Sequence, residues 1–212
     1  MSEAQDMRVE RINSSEAHPM ILNIHYAKRL PSISYAFGIF YGSNLEGVVT
    51  YGMPASPFVC SGICGEEYKE KVIELNRLVL RSNKKNEASF LISNSIKLLP
   101  KPMIIVSYAD SDKNHSGYVY QASNFFFGGT SSERTDIAPE DGKHPRHHLG
   151  DKSKRVKRSA KHRYFFIHAS KTDRKKILKN LRWKIEEKPP KQGKNFVSEK
   201  TINFCEQKRL FL

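Results

Sequence analysis

Cysteine is scarce in this chain of 212 residues: Cys60, Cys64 and Cys205 are all it has. An odd, sparse set does not build a disulfide framework and fits a reducing compartment. The spacing of Cys60 and Cys64 is a weak metal signal, and two apolar-flanked thiols in a turn read first as small buried residues. Long apolar runs are also missing. No stretch approaches the roughly 18 residues that span a bilayer, and the start MSEAQDMRVER has no apolar region of a secretory signal. The expectation is a cytoplasmic protein with no membrane partner.

Acidic charge is nearly absent from one place. Residues 143–184 hold sixteen Lys and Arg against Asp151 and Asp173, which accounts for the whole net charge of +14. The rest of the chain is balanced. Concentrated positive charge is the footprint expected for a polyanion, because each neutralised phosphate releases counterions. A solvated charge run is the other reading. Aromatic residues interleaved with the basic ones favour the polyanion.

What is present supports one α/β domain over 1–212. Hydrophobic residues make up 38% of the chain, with 12 Phe and 9 Tyr, enough for a core. Ser14, Ser15 and Glu16 resemble a helix start, and the spacing predicts a helix that runs to the residue before Pro31, with His25 and Tyr26 near its end. ISYAFGIFYG and LEGVVTYG alternate as a hairpin, and MPASPFVCSGICGEE reads as a loop. KVIELNRLVL and MIIVSYAD read as buried strands. Between them Ala88, Leu91, Ile92, Ser95, Ile96 and Leu99 form one helical stripe, so the segment is a right-handed βαβ crossover. GYVYQASNFFFGG predicts a short helix entering an aromatic strand, and KHRYFFIHA predicts another strand. TDRKKILKNL predicts a helix capped by Thr172 or Asp173. Residues 131–160 read as a mobile basic insertion and 185–212 as a C-terminal extension containing a linker and one last strand.

The turn SNKKNEAS in this crossover has no glycine, although a strand end leading into a helix is where phosphates are favoured. Lys84 and Lys85 supply charge there, Asn83 or Asn86 can cap the helix, and Ser89 adds a hydroxyl one turn in. By itself the turn reads equally well as a plain loop. The order of elements gives a mixed central sheet flanked by helices, which resembles the layout of a GNAT acyltransferase; the resemblance implies that this turn holds the pyrophosphate of coenzyme A.

ELNRLVL, KNEASFLISNSIKLL, IIVSYAD and NHSGYVYQASNFFFGG, together with HYAKRLPS and KHRYFF, resemble the Mom family of bacteriophage DNA modification proteins across roughly residues 18–183. The resemblance implies a GNAT-like fold and transfer of a carbamoylmethyl (acetamido) group to the exocyclic amine of adenine. The modification protects phage DNA from restriction inside a bacterial host. It also implies acetyl-CoA or another phosphate-bearing donor such as an aminoacyl-tRNA, and an iron centre.

An adenine amine is a poor nucleophile, so the chemistry needs a base or a metal near the strand ends. Asp110 ends a strand at the ligand edge beside Tyr108 and can orient the amine, act as base or bind metal; it also suits a turn cap. With the resemblance, His25 and Tyr26 reach the same cleft, His25 and Asp110 offer an iron site, and Tyr120 protonates a departing thiolate. Asn76, Arg77, Lys84, Lys85, Asn86, Ser89 and Asn124 are the expected cofactor contacts. Tyr120 and Asn124 are spaced to share a helical face. On a regular strand Glu74 and Asn76 share one face and Arg77 takes the other.

The expected partner is double-stranded DNA with a flipped adenine. Arg146, Lys154, Arg155, Lys157, Arg158, Lys161 and Arg163 would meet its backbone, and Tyr164, Phe165, Phe166 or Trp183 would pack on the opened strand or belong to the core. Two other readings stay open at this point: an ordinary N-acetyltransferase acting on protein, RNA or a small amine, and a nonenzymatic DNA-binding protein.

Overall fold

The computed structural model describes residues 7–82, 84–113, 115–137 and 155–188. The first described element is β1 (Met7–Ile12), which the sequence pattern did not announce because Arg11 breaks the short alternation of Met7 and Val9 with Arg8 and Glu10. The chain then enters α1 (Ser14–Asn23), capped one residue earlier than expected: the Asn13 amide donates to the Glu16 carboxylate at 2.8 Å in a capping box. The helix also stops sooner. The amides of Ile24 and His25 both reach back to the Met20 carbonyl, at 3.0 and 3.3 Å, and Lys28 adopts a positive φ of 40°. His25 and Tyr26 therefore lie on the connection after the helix.

The predicted hairpin is present as β2 (Tyr35–Tyr41) and β3 (Asn44–Gly52). The segment read as a loop is instead α2 (Pro57–Cys64), followed by a 3-10 turn over Glu66–Lys71. Pro57 at the first helical position is preset for a helix, and Cys60, Ile63 and Cys64 recur at helical spacing and are buried. Next come β4 (Val72–Leu80), α3 (Glu87–Lys97), β5 (Met103–Asp110), the short α4 (Tyr118–Ala122) and β6 (Phe126–Thr130). Two four-residue strands, β7 (Arg134–Ile137) and β8 (Arg155–Arg158), precede β9 (Lys161–His168) and α5 (Lys171–Lys179). Ser170 caps α5 in place of Thr172 or Asp173, accepting from the Asp173 amide at 3.1 Å. Among the described residues no helix is long and apolar enough to cross a membrane.

Seven strands form one sheet in the order β1-β2-β3-β4-β5-β9-β6, antiparallel except for β4 beside β5. Strand alternation sorts the core onto two faces. Phe37, Val49, Ile73 and Ile105 pack with Leu91, Ile92 and Ile96 of α3, while Val48 and Val79 pack against α1, and Ile104 and Val106 against α2 and α5.

Two irregularities in β4 shape the functional region. Thr50 pairs with Arg77 but Tyr51 with Leu75, so Asn76 is an extra residue, a β-bulge. The bulge shifts the phase: Ile73 and Leu75, then Leu78 and Leu80, face α3. The expected opposition of Arg77 to Glu74 is corrected by this extra residue, which returns Arg77 to the face of Glu74. Secondly, β4 pairs with β5 only from Val72 to Glu74, opposite Ile104 to Val106. Beyond that the strands part, and Ser107 Oγ bridges the fork by donating to the Leu75 carbonyl at 2.9 Å.

On the far side of β5, β6 and β9 continue past the Ser131 amide, which donates to the Lys161 carbonyl at 2.9 Å, into β7 and β8. A twisted two-stranded ribbon thus leaves the sheet at the residue opposite Asp110, since Asp110 pairs with Lys161. The described ends of segment 131–160 are this ribbon; Arg146 and Lys154 lie outside the described residues, as does the last strand expected near the C-terminus.

Candidate active site

The fork between β4 and β5 opens into a cleft of about 630 Å³. It is lined from one side by Glu74 to Leu78 of β4, from the other by Tyr108 to Asp110 of β5, and it extends to α4 and to the N-terminus of α3. Because the strands have parted, the cleft communicates between the two faces of the sheet. His25, Tyr26, Asp110 and Tyr120, as well as Asn76, Arg77, Lys84, Lys85, Asn86 and Ser89, all line it. Asn124 does not. Helix α4 ends at Ala122 and Asn124 turns to a positive φ of 60°, so Tyr120 and Asn124 share no helical face.

At the α3 end, Asn86 takes a left-handed φ of 67° at the N-cap, the conformation for which glycine is usual. The buried Glu87 organises the turn from below: its carboxylate accepts from the Lys84 amide at 2.8 Å and from Ser82 Oγ. Lys84 lies over the Tyr41 ring at 4.5 Å, and Ser89 Oγ donates to the Asn86 carbonyl at 3.0 Å. The first-turn amides of a helix have no intrahelical partners and suit an anion, with Lys84 and Lys85 beside them.

On the opposite face, two constraints place His25 and Tyr26. The Arg77 guanidinium donates to the Arg29 carbonyl through Nη2 at 3.1 Å and Nε at 3.3 Å, holding the connection after α1 over the bulge. The His25 ring in turn stacks on Tyr26, with centroids 4.4 Å apart. His25 Nδ1 accepts from the Ala27 amide at 3.0 Å, which leaves the proton of the neutral ring on Nε2. Burial, with Arg77 and His115 adding to it, lowers its pKa to about 4, so the ring is neutral at physiological pH.

Asp110 accepts from Ser159 Oγ at 2.6 Å, from the Lys161 ammonium and from the Asp112 amide at 3.2 Å. Burial alone would raise its pKa; these hydrogen bonds and the Lys161 charge outweigh it and hold the carboxyl below the usual range. The nearby Tyr26 phenol is raised by burial and then by the Asp110 charge.

The sequence did not single out Glu74, Tyr108 and His115 as site residues, yet they line the cleft. Burial raises the Glu74 carboxyl above its ordinary range, against the pull of the Ala55 amide and Arg77. Tyr120, on the α3 side, is pushed up to about 12 by burial and remains a phenol.

The iron centre that the family resemblance implies does not fit these residues. Among the described residues no group of three or more His, Cys, Asp or Glu side chains converges, and His25 and Asp110 are committed to the Ala27 amide and to a lysine ammonium. A cation held against the proposed carboxylate ligand opposes a second cation there.

The basic residues divide. Ser159 and Lys161 bond Asp110, while on β8 Arg155 and Lys157 share one face of the ribbon. Arg158 falls on the other face and pairs with Asp136 at 3.7 Å, while Lys157 pairs with Glu133 at 2.6 Å. Arg163 lies 5.1 Å over the Trp183 ring. Tyr164 and Phe165 are completely buried and belong to the core, and Trp183 packs edge-on against Phe165.

Comparison with known proteins agrees with this architecture. Two structures of NAA60 from Arabidopsis thaliana, one with acetyl-CoA and one with a bisubstrate analogue, superpose with a TM-score of 0.50 at 12% identity, covering 76% of this chain and 98% of theirs. That likeness establishes the GNAT-like fold. Over 133 residues the chain is 33% identical to the methylcarbamoylase Mom of Escherichia phage Mu, covering 60% of this chain and 55% of the phage protein. The chain thus spans about half the length of that relative. The model of the Mom protein family matches residues 6–189, and the chain belongs to that family.

Proposed function

We propose that the protein is a transferase that modifies the exocyclic amine of adenine in double-stranded DNA, placing a carbamoylmethyl group there and shielding phage DNA from restriction. The observation that carries this reading is the cleft through the split sheet, with a basic helix N-terminus on one face, an acid-base cluster on the other and a cationic ribbon rising from the same rim. The methylcarbamoylase name of the phage Mu relative supports the reaction class.

The phosphates of an acyl-CoA donor meet the first turn of α3, with Lys84 and Lys85 balancing their charge and Asn86 and Ser89 lining the approach. With a thioester donor attacked at its carbonyl, the neutral phenol of Tyr120 gives its proton to the departing thiolate and the transferred group is an acetyl. On the other face, Asp110 stays ionised and accepts a hydrogen bond from the adenine amine. Glu74 has the raised pKa that suits a general base and takes the amine proton as the new bond forms. His25 donates through Nε2 and polarises the group being transferred. Arg77 holds the connection that carries His25 and Tyr26, while Asn76 bonds Thr50 at 2.7 Å and the Ser32 carbonyl at 2.7 Å, securing the bulge.

Attack on the carbonyl of acetyl-CoA would leave an acetyl group on the amine, whereas a carbamoylmethyl group is attached through its methylene and requires a donor that brings the amide nitrogen and a leaving group on that methylene. The products differ by one NH, so mass spectrometry of nucleosides distinguishes them. Plasmid DNA from cells expressing the wild type should contain the heavier adenine, and DNA from cells expressing Asp110→Asn or Glu74→Gln should not. An acetylated adenine would replace the carbamoylmethyl assignment; unmodified DNA alongside acetyl transfer to a protein or small amine would replace the substrate.

A further inference from the structure

Of the four aromatic residues that the sequence offered to an extruded base, Tyr164 and Phe165 are buried in the core and Phe166 and Trp183 pack against it. Another aromatic group stands where such a base would arrive. Tyr26 is 61% exposed although it lines the cleft, an unusual state for a large ring held by tertiary contacts. One side of it is backed by His25, with planes 29° apart, and its edge is met by His115 at 6.1 Å and 72°. Tyr26 is therefore the outer layer of a braced aromatic stack.

We infer that Tyr26, braced by His25 and His115, is the platform on which a purine base extruded from DNA stacks before its amine is modified; the inference rests on the DNA reading above. Three features fit a heteroaromatic base. A planar group can cover the ring without displacing any protein contact. His25 is neutral, so the platform presents aromatic faces without a net charge that would need a counterion. Asp110 lies close enough to raise the Tyr26 phenol, which brings the edge of a stacked base near the carboxylate proposed to receive its amine. The adenine of a coenzyme A donor has the same chemistry, but the phosphate-binding turn at Lys84 and Lys85 belongs to the other end of the cleft.

Extrusion of an adenine leaves its partner thymine unstacked and open to permanganate oxidation, a readout that needs neither donor nor turnover. On duplex DNA the wild type should expose discrete thymines. Tyr26→Phe keeps the ring and should expose them within about twofold of wild type, while Tyr26→Ala should lower their reactivity roughly tenfold, the scale of one lost base-aromatic stack. Duplex affinity should change little in either variant, because backbone contacts lie on the ribbon. Equal thymine reactivity in Tyr26→Ala and wild type overturns the platform alone. So does a Tyr26→Ala variant whose main defect is weaker acetyl-CoA binding by calorimetry, which would assign the ring to the donor. A wild-type protein that binds no DNA overturns the underlying reading, and this inference with it.

Discussion

Arg77 grips the carbonyl of Arg29 with two nitrogens, at 3.1 and 3.3 Å, and so couples the bulge in β4 to the connection that carries His25 and Tyr26. A lysine keeps the charge but cannot reproduce a planar two-point grip. Arg77→Lys should reduce adenine modification by about tenfold to a hundredfold through misplacement of that connection. Its melting temperature should fall by only about 3 °C, because the bonds lie near the surface. Nucleoside mass spectrometry time courses with thermal unfolding check both; an active variant would remove Arg77 from the positioning role.

Gly117 has a φ of +74°, and a Cβ there would lie 2.2 Å from the ring of the fully buried Tyr164. Neither the backbone nor the ring has room to yield. Gly117→Ala should cost about 2 kcal/mol or more in denaturant unfolding and should disturb α4, which carries Tyr120. Unchanged stability would mean that the start of α4 can shift.

Burial gives His25 a folded-state pKa of about 4 against an ordinary 6.5. The unfolded chain takes up this proton first, so the contribution of His25 to stability is complete above about 6.5 and declines as the pH falls toward 4. Urea midpoints between these values should decline less steeply for His25→Gln than for wild type. A histidine NMR titration with a midpoint near 6.5 would contradict the neutral stack.

The ion pairs along the ribbon predict unequal roles for neighbouring cations. Arg155→Ala should reduce the slope of log affinity against log salt for duplex DNA by about 1. Lys157→Ala and Arg158→Ala, whose charges are already paired with Glu133 and Asp136, should have smaller effects. Equal effects at all three positions, in filter binding across a salt series, would argue for a diffuse charge indifferent to those pairs.

Tyr51 Oη and Ser95 Oγ meet at 2.7 Å in the fully buried layer between β3 and α3. Tyr51→Phe should destabilise the fold by about 1 kcal/mol, the net worth of one hydrogen bond, because Ser95 Oγ keeps its own bond to the Ile92 carbonyl at 2.9 Å. Equilibrium denaturation measures this, and adenine modification by the folded variant should persist, since neither residue lines the cleft.

Most of the sheet was legible because apolar spacing is a local property: β2, β3, β4, β5, β9 and α3 follow from it directly. Helix α2 was not, since Pro57, Ser61 and Gly62 look like loop composition until Cys60, Ile63 and Cys64 are counted at helical spacing. The cleft was partly legible. Asp110 and the turn at Lys84 stand out by their position at strand ends, whereas Glu74 joins the site through the parting of β4 from β5, which depends on partner strands distant in sequence. The engagement of Asp110 by Lys161 was equally hidden, because the two residues are 51 positions apart.

The extra residue at Asn76 gives β4 a parity. Upstream and downstream of it, odd and even positions exchange faces in number only: Leu75 and Leu78 still look toward α3 and Glu74 and Arg77 away, on either side of one residue with no paired position in β3. Deletion of Asn76 would keep Leu78 and Leu80 toward α3 and Arg77 on the face of Glu74, losing the local bend and the bonds to Thr50 and the Ser32 carbonyl, whereas removal of a regularly paired residue would turn every side chain beyond it to the opposite face. Substitutions along β4 act one position at a time; a change of length is absorbed at this point and reverses the strand's faces elsewhere.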